Sequence, residues 1–331
     1  MLGKGTVVLA LFIMLFACIA GCSRKEDTKD VDKLTVAVTP WPASAPLYIA
    51  HDKGYFEDEG LDVTLQSYVS GHLGLDAVLA GKADLATAGE TPIALAAMEG
   101  KLFSVIATIC EIDRAILIIA RRDRGISGPH DLRGRSVGVV EGTTADFFLH
   151  IYLITSYVDP QDVTIVPIVA DRMVDVLLNG EVDAVSAWTP HTIILQDRLG
   201  SNALALHDSS IYTMTWNLVA AHDFVKSHPE RMVKFLRAVV RADGFIGEKP
   251  EEARTIASTA IGTGRALFEK ERKGLSFATV LEESLIVNLE DQARWYRKRR
   301  PGEGRAPDFT HFIHTDGLKA VRPEAVGISD R

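Results

Sequence analysis

The chain has 331 residues, of which 47% are hydrophobic and 24% are charged, and its formal net charge is -8. This length suits two domains, and the apolar and charged fractions exclude a largely disordered chain and a polytopic membrane protein. The acidic balance, without a basic patch, argues against nucleic acid as a partner, and three cysteines allow at most one disulfide.

The N-terminus has the features of a secretory signal peptide. Lys4 precedes an uncharged and mostly apolar run over residues 6–20. About fifteen residues rise only ~23 Å as a helix, which is short of the ~30 Å hydrocarbon core of a bilayer. The pattern therefore favours a signal peptide over a membrane-spanning helix.

The apolar run ends in Ile19-Ala20-Gly21-Cys22, which resembles the lipobox of bacterial lipoproteins. The resemblance implies a signal peptide over residues 1–21, cleavage before Cys22 and lipidation of that cysteine. An ordinary signal peptide that happens to contain a cysteine is the alternative. Residues 22–32 are polar and charged, and we expect them to form a flexible tether between the membrane and the folded protein. Cys110 lies in an apolar run, residues 103–110, and is expected to be a buried, inert thiol.

Short β-rich runs alternate with helical patterns from residue 34 onward. Predicted strands cover residues 34–38, 61–65, 84–88, 103–110, 115–120, 136–140, 163–166, 183–187 and 213–220. Predicted helices cover residues 48–55, 72–81, 92–98, 144–157 and 172–179. From Pro229 onward the pattern predicts helices over residues 231–247, 251–261, 276–289 and 292–299, followed by an irregular end over residues 300–331. The alternation of strands and helices indicates βαβ units and a mostly parallel α/β architecture.

Two segments of the chain repeat one local pattern. Residues 75–84 and 173–184 each consist of an apolar helix, a glycine and an aspartate that opens a strand. A glycine in the left-handed conformation ends a helix and gives a short entry into a buried strand. The repetition suggests two similar lobes.

Several motifs, taken in order, resemble one protein family. They are residues 39–63, with Thr39-Pro40-Trp41-Pro42 at the start and Lys53-Gly54-Tyr55-Phe56 inside, then Gly89-Glu90-Thr91-Pro92, residues 131–139, Ala187-Trp188-Thr189-Pro190 and His228-Pro229-Glu230. They are similar to the substrate-binding proteins of nitrate, sulfonate and taurine ABC importers, a family that also includes pyrimidine-precursor binding proteins. The resemblance covers roughly residues 34–247.

The resemblance implies a two-lobed periplasmic-binding-protein type II fold, with two crossover hinge strands between the lobes. Mapped onto this chain, residues 33–117 form the first part of lobe 1, residues 118–217 form lobe 2 with the hinge strands, and residues 218–331 return to lobe 1. The runs over residues 115–120 and 213–220 become the hinge. Cleft closure by such a hinge is a common switching mode.

The function implied is capture of a small organic anion or zwitterion by a lipid-anchored, monomeric component of an ABC importer. Its partners would be the solute, a permease with a cytosolic ATPase, and the membrane that holds the anchor, outside the cytoplasm. We expect no cofactor, metal or catalytic residue, since the sequence lacks a zinc-type His-Glu-x-x-His, a phosphate loop and a Gly-x-Ser-x-Gly elbow. The alternatives are a solute-sensing receptor module and an enzyme of precursor biosynthesis on the same fold.

Candidate ligand-binding residues follow the predicted strands, because ligands of open α/β sheets bind at the carboxyl ends of strands, where helix N-termini point. They are Trp41, Ser44, Ser70, Gly71, His72, Glu90, Thr91, Glu141, Thr143, Thr144 and Trp188. Trp216, inside the predicted strand over residues 213–220, is a further candidate. Alternative roles remain open for several of them. Ser70, Thr91 and Thr144 suit helix caps, His72 suits a solvated loop, and Trp216 suits the core or the hinge.

Glu90 and Glu141 stand in loops that contain no lysine or arginine. A carboxylate near helix N-termini is electrostatically favourable and can simply brace a loop. If either carboxylate faced the cleft, it would repel a plain anion and favour a ligand that also carries a cation. This hypothesis predicts a zwitterion or an amine-bearing heterocycle.

Overall fold

A computed structural model describes residues 31–114, 116–299 and 306–328. The predicted signal peptide, Cys22 and most of the predicted tether lie outside these residues. The strands are β1 (Asp32–Val38), β2 (Leu61–Ser67), β3 (Leu85–Gly89), β4 (Phe103–Ile112), β5 (Ile116–Arg121), β6 (Ser136–Val139), β7 (Thr164–Pro167), β8 (Ala184–Trp188), β9 (Ala203–Leu206), β10 (Met214–Ala221) and β11 (Leu275–Val280). The helices are α1 (Ala45–Asp52), α2 (Tyr55–Asp58), α3 (Gly71–Leu79), α4 (Glu90–Met98), α5 (Thr144–Thr155), α6 (Met173–Leu178), α7 (His191–Leu199), α8 (His222–Ser227), α9 (Pro229–Glu248), α10 (Pro250–Ile261), α11 (Arg265–Glu271), α12 (Glu283–Arg299) and α13 (Asp316–Val321).

The strands form two sheets, each the centre of one lobe. The first sheet has the order β11-β4-β10-β3-β1-β2, and the second has the order β7-β6-β8-β5-β9. In the first, β1 pairs in parallel with β2 and β3, and in the second, β6 pairs in parallel with β7 and β8. Next to each parallel trio lies one antiparallel strand, β10 in the first sheet and β5 in the second. The predicted two-lobed α/β fold is therefore confirmed, but the sheets are mixed rather than mostly parallel, because β4, β5, β9, β10 and β11 take part in antiparallel pairs.

The chain crosses between the sheets in two short segments. The first crossing lies between Ile112 and Ile116, and the second lies between Leu206 and Met214. The runs predicted as the hinge form β5 and β10, each of which begins directly after one crossing; β5 pairs with β8 and β9, and β10 pairs with β3 and β4. The crossings are therefore the short segments that precede these two strands.

The C-terminal third departs most from the sequence prediction. Residues 276–289 were expected to be one helix, but Leu275–Val280 forms β11 on the outer edge of β4, and α12 begins at Glu283. The β-prone side chains of this segment gain a sheet partner that helical periodicity does not reveal. Strand β9 and helix α7 were not predicted. Part of the end predicted to be irregular forms α13, whose Leu318 is fully buried.

The long C-terminal helices belong to the first lobe. Helices α9 and α10 pack on α1, and α12 packs on α4. The apolar face predicted for α9 is buried, and the Phe235 ring stacks on Phe56 with centroids 5.2 Å apart. Cys110 is buried as predicted, and burial raises the pKa of its thiol. Within the described ranges, no helix has the length and apolarity needed to span a bilayer.

Candidate functional site

The carboxyl edges of the two sheets meet at a hydrogen bond between the lobes. Nε1 of Trp41, which follows β1, donates to Oγ1 of Thr189, which follows β8, over 2.8 Å. Both side chains are buried, with Trp41 6% and Thr189 8% exposed. Residues that follow strands of opposite lobes therefore form one cluster, as expected for ligand sites on open α/β sheets.

Two tryptophans form the wall of this cluster in the first lobe. The rings of Trp41 and Trp216 meet edge to face, with centroids 5.2 Å apart, and Nε1 of Trp216 donates to Oγ of Ser44 over 3.0 Å. Gly71 leaves room for the second ring, because a Cβ atom at this position would lie 2.9 Å from Cη2 of Trp216. Four predicted residues, Trp41, Ser44, Gly71 and Trp216, are thus brought together.

The close packing at Gly71 gives a testable difference between two glycines of helix α3. An added Cβ at Gly71 would also lie 2.9 Å from Cα of Ala88, a backbone atom that cannot move alone. Gly71→Ala is therefore expected to destabilise the protein by about 1–2 kcal/mol and to change the tryptophan fluorescence. The control Gly74→Ala meets atoms no closer than 3.4 Å and is expected to be neutral or stabilising by up to ~1 kcal/mol. Urea unfolding followed by fluorescence measures both, and equal effects would contradict the packing argument.

The loop after β6 supplies the wall of the second lobe. A Cβ atom on Gly89 would lie 2.9 Å from Oγ1 of Thr144, so this hydroxyl faces the first lobe directly. Thr143 is buried and donates to the carbonyl of Val140 over 2.7 Å, which ties its hydroxyl to its own loop. Of this pair, only Thr144 presents its hydroxyl to the opposite lobe.

Four helices begin where the lobes meet. Helices α1, α4, α5 and α7 follow strands β1, β3, β6 and β8 after short connections. The first N–H groups of a helix have no partner within it and carry a partial positive charge. The arrangement can therefore hold an anion with backbone N–H groups and hydroxyls, without lysine or arginine.

Other predicted residues have structural roles or lie outside the cluster. Ser70 accepts a hydrogen bond from the N–H of Leu73 over 3.4 Å, as a helix cap does. His72 is exposed on α3, where its Nε2 lies 3.5 Å from Oδ2 of Asp76. Trp188 is half-buried, and its ring lies edge-on to His191. The structure therefore places His72 on the solvated surface, in line with its alternative role.

Glu90 is fully buried, and its carboxylate points to the second crossing rather than to the opposite lobe. It accepts hydrogen bonds from the hydroxyl of Tyr212 over 2.9 Å and from the N–H of Thr215 over 2.6 Å. Burial raises the pKa of Glu90 to about 7, although these hydrogen bonds act in the opposite direction. This is the bracing role that the sequence left open.

Helix α12 completes the interface between the lobes. The hydroxyl of Thr91 donates to Oε1 of Gln292, and this buried contact holds α12 on α4. At the other end of the helix, Arg299 forms an ion pair with Asp146 of α5, while Glu141 is exposed with an oxygen 3.9 Å from Arg299.

Tyr212, Gln292, Asp146 and Arg299 were not predicted as site residues. The amphipathic pattern over residues 292–299 was a signal that this helix has a buried face, but it does not identify the partners of that face. Within the described ranges, His, Cys, Asp and Glu side chains form no group of three or more that suits a metal ion.

Comparison with known proteins gives one family match and several similar chains. The family described as NMT1/THI5 like matches residues 41–253. A Bacillus subtilis protein named as a putative aliphatic sulfonates-binding protein is 28% identical over 326 residues. The match covers 97% of each chain. The 4-amino-5-hydroxymethyl-2-methylpyrimidine phosphate synthase of Aspergillus parasiticus is 26% identical over 67% of this chain and 69% of its own. The crystal structure of the periplasmic aliphatic sulphonate binding protein of Escherichia coli superposes with a TM-score of 0.71 at 16% identity, covering 85% of this chain and 97% of that chain.

Proposed function

The chain belongs to the NMT1/THI5-like family. On this premise we propose that it is the solute-binding component of an ABC importer for small organic anions of the sulfonate type. The Bacillus subtilis relative, similar over 97% of both chains, supports this function by its name. The single observation that carries the proposal is the hydrogen bond from Trp41 to Thr189, which joins the carboxyl edges of two lobes.

The chemistry of the cluster suits a sulfonate. Ser44, Thr144 and Thr189 offer hydroxyl donors, the indole of Trp41 offers an N–H donor, and the helix starts offer backbone N–H groups. When the lobes part, the bond between Trp41 and Thr189 breaks, and a ligand that enters takes up both groups. Closure over the ligand then restores contact between the lobes, because a ligand shifts the equilibrium toward the state that it binds better.

The same proposal includes a place at the cell envelope. Cleavage before Cys22 and lipidation there would hold the protein, as a monomer, on a membrane outside the cytoplasm, beside the permease and its cytosolic ATPase. The lipobox-like sequence Ile19-Ala20-Gly21-Cys22 supports the anchor. Two or three acyl chains hold a protein far more firmly than one. Mass spectrometry of the membrane-extracted protein tests the anchor, and an unmodified Cys22 would overturn this part.

A ligand panel tests the solute. The oxygens of Glu90 are occupied by Tyr212 and Thr215, and Glu141 is exposed, with an oxygen 3.9 Å from Arg299. The condition for a zwitterion, a carboxylate facing the cleft, therefore has no support in these contacts. We expect ethanesulfonate to bind at least about tenfold more tightly than taurine, whose ammonium group would be buried without a partner. Titration calorimetry measures both ligands and nitrate, and nitrate binding as tightly as ethanesulfonate would overturn the proposal.

Trp41 is expected to provide part of the binding energy. Trp41→Ala removes both the ring and the N–H donor, and we expect ethanesulfonate binding to weaken by roughly 1–3 kcal/mol. Trp41→Phe keeps an aromatic ring and removes the N–H donor. Its affinity for ethanesulfonate should therefore lie between that of the wild type and that of Trp41→Ala. The same calorimetry provides the values, and unchanged affinity in the alanine variant would remove Trp41 from the site.

The Aspergillus parasiticus relative supports a second candidate, an enzyme of pyrimidine-precursor biosynthesis. The two candidates differ in what happens to the bound molecule. A binding protein returns its ligand unchanged, so mass spectrometry of the ligand recovered after prolonged incubation should show its original mass. A chemically altered ligand would favour the enzyme.

A further inference from the structure

One carboxylate holds the loop of the second lobe that faces the first lobe. Oδ2 of Asp146, in the first turn of α5, accepts a hydrogen bond from the N–H of Gly142 over 3.1 Å. The backbone of Gly142 lies in the left-handed region, with φ at 71°, so the chain turns sharply here. Thr144, which presents its hydroxyl to the opposite lobe, follows two residues later. The position of this hydroxyl therefore depends on Asp146.

Another partner of the same carboxylate comes from the first lobe. Arg299, the last residue of α12, donates from Nη1 to both oxygens of Asp146 over 2.7 and 2.8 Å. Its Nη2 lies 3.9 Å from an oxygen of Glu141, at the start of the loop. Helix α12 packs on α4 of the first lobe. A guanidinium of the first lobe therefore reaches both ends of a loop in the second lobe.

The burial of Asp146 makes this ion pair sensitive to the arrangement of the lobes. The side chain of Asp146 is 5% exposed, and a buried carboxylate without a partner is strongly unfavourable, whereas water solvates it well. Without the arginine, the arrangement in which the lobes meet would hold this carboxylate buried and unpaired. Parted lobes would return it to water, so loss of Arg299 should favour the open form.

Aromatic contacts connect the guanidinium with the second crossing. The guanidinium of Arg299 lies 5.3 Å from the ring centroid of Trp295, one turn earlier on α12. The Trp295 ring meets Phe147 of α5 edge to face, with centroids 5.5 Å apart. Phe147 meets Tyr212 of the second crossing in the same way, also at 5.5 Å. Since a cation is attracted to the face of an aromatic ring, the guanidinium is held at the end of a row of rings that begins between the lobes.

We infer that Arg299 is a positioning residue for the bound solute. Through Asp146 it fixes the loop over residues 141–144 against the ligand and stabilises the closed lobes, without touching the solute itself. The inference rests on the proposed function and deepens it, since it names the contact that controls ligand release. Because the ion pair forms only after the lobes meet, it slows dissociation and leaves association unchanged.

The first experiment measures ethanesulfonate binding to the full chain by titration calorimetry and its rates by stopped-flow tryptophan fluorescence. In Arg299→Met we expect the affinity to fall about tenfold, through faster dissociation at the wild-type association rate. Arg299→Lys keeps a cation and should recover part of the affinity. Arg297→Met is the matched control, because Arg297 is an exposed cation in the same turn of α12, and it should bind like the wild type.

The second experiment tests the loop without any solute, by hydrogen exchange of the ligand-free protein. Loss of Arg299 should loosen Asp146, so we expect the amide of Gly142 to exchange at least about fivefold faster in Arg299→Met than in the wild type or Arg297→Met. Mass spectrometry of peptides that cover residues 140–146 measures this exchange. Times before β1 exchanges are used, so that global unfolding does not contribute.

The outcomes separate this inference from the proposed function. Unchanged affinity, dissociation rate and loop exchange in Arg299→Met would overturn the inference and leave Arg299 with a stabilising role alone. Slower association at an unchanged dissociation rate would also overturn it. If the wild type binds no ethanesulfonate while loop exchange still depends on Arg299, the proposed function fails and the positioning of the loop by Arg299 stands.

Discussion

Replacing Arg299 with methionine is expected to lower the free energy of unfolding by about 2–4 kcal/mol at neutral pH. Arg299, at the end of α12, donates to both carboxylate oxygens of Asp146 over 2.7 and 2.8 Å. The side chain of Asp146 is 5% exposed and that of Arg299 is 34% exposed. Methionine keeps much of the apolar stem but leaves a buried carboxylate without its partner. The exposure of the guanidinium places the effect toward the lower end of the range for buried pairs.

The pH dependence of this effect has a definite sign. Burial raises the pKa of Asp146, and Arg299 opposes that rise. Without the arginine the pKa rises further, so the variant keeps a proton on Asp146 at acid pH and avoids the buried charge. The destabilisation should therefore be smaller at acid pH than at neutral pH, in urea unfolding measured at both.

The matched control is the same substitution in an Asp146→Asn background. Asparagine removes the charge and keeps an acceptor for the N–H of Gly142, which donates to Asp146 over 3.1 Å. Arg299→Met should then cost less than about 1 kcal/mol, and the difference between the backgrounds measures the coupling of the pair. Equal costs in both backgrounds would show that the ion pair contributes nothing to stability. Because α12 packs on α4, this pair also ties the second lobe to the first.

Replacing Glu90 with glutamine is expected to remove a pH dependence of stability that amounts to at most about 3 kcal/mol. Burial raises the pKa of Glu90 to about 7 from its ordinary value of 4.5. Between these two values the folded protein holds a proton that the unfolded chain releases, so stability falls as the pH rises. Glutamine stays neutral, accepts from the N–H of Thr215 and can donate to the oxygen of Tyr212. The variant should therefore match the wild type near pH 4.5 and exceed its stability at pH 8.

The measurement is urea unfolding from pH 4.5 to pH 8. Burial also raises the pKa of Glu271 to about 7, so the wild-type curve contains both contributions and Glu90→Gln removes one of them. Glu99→Gln, on an exposed residue after α4, is the matched control and should leave the curve unchanged. Parallel curves for wild type and Glu90→Gln would contradict the assignment of this pH dependence to Glu90.

The sequence alone determined the alternation of strands and helices, the two similar lobes and much of the cluster where the lobes meet. Period-two and period-3.6 patterns are local, and residues that follow parallel buried strands lie at one edge of a sheet. For this reason Trp41, Ser44 and Gly71 were selected correctly as neighbours. Trp216 joins them from inside β10, because this strand runs antiparallel to β3 and pairs Trp216 with Gly89. Thr144 was also selected, and its hydroxyl faces Gly89 of the other lobe.

Only the tertiary structure decided which way side chains at that edge turn and which distant elements they meet. Glu90 and Thr91 both follow β3, yet Glu90 turns to the second crossing and Thr91 meets Gln292, 201 residues away. A local pattern shows which face of an element is buried, but the partner of that face depends on how all the elements pack. The same reason explains β11, which became a strand because the free edge of β4 offered its hydrogen bonds.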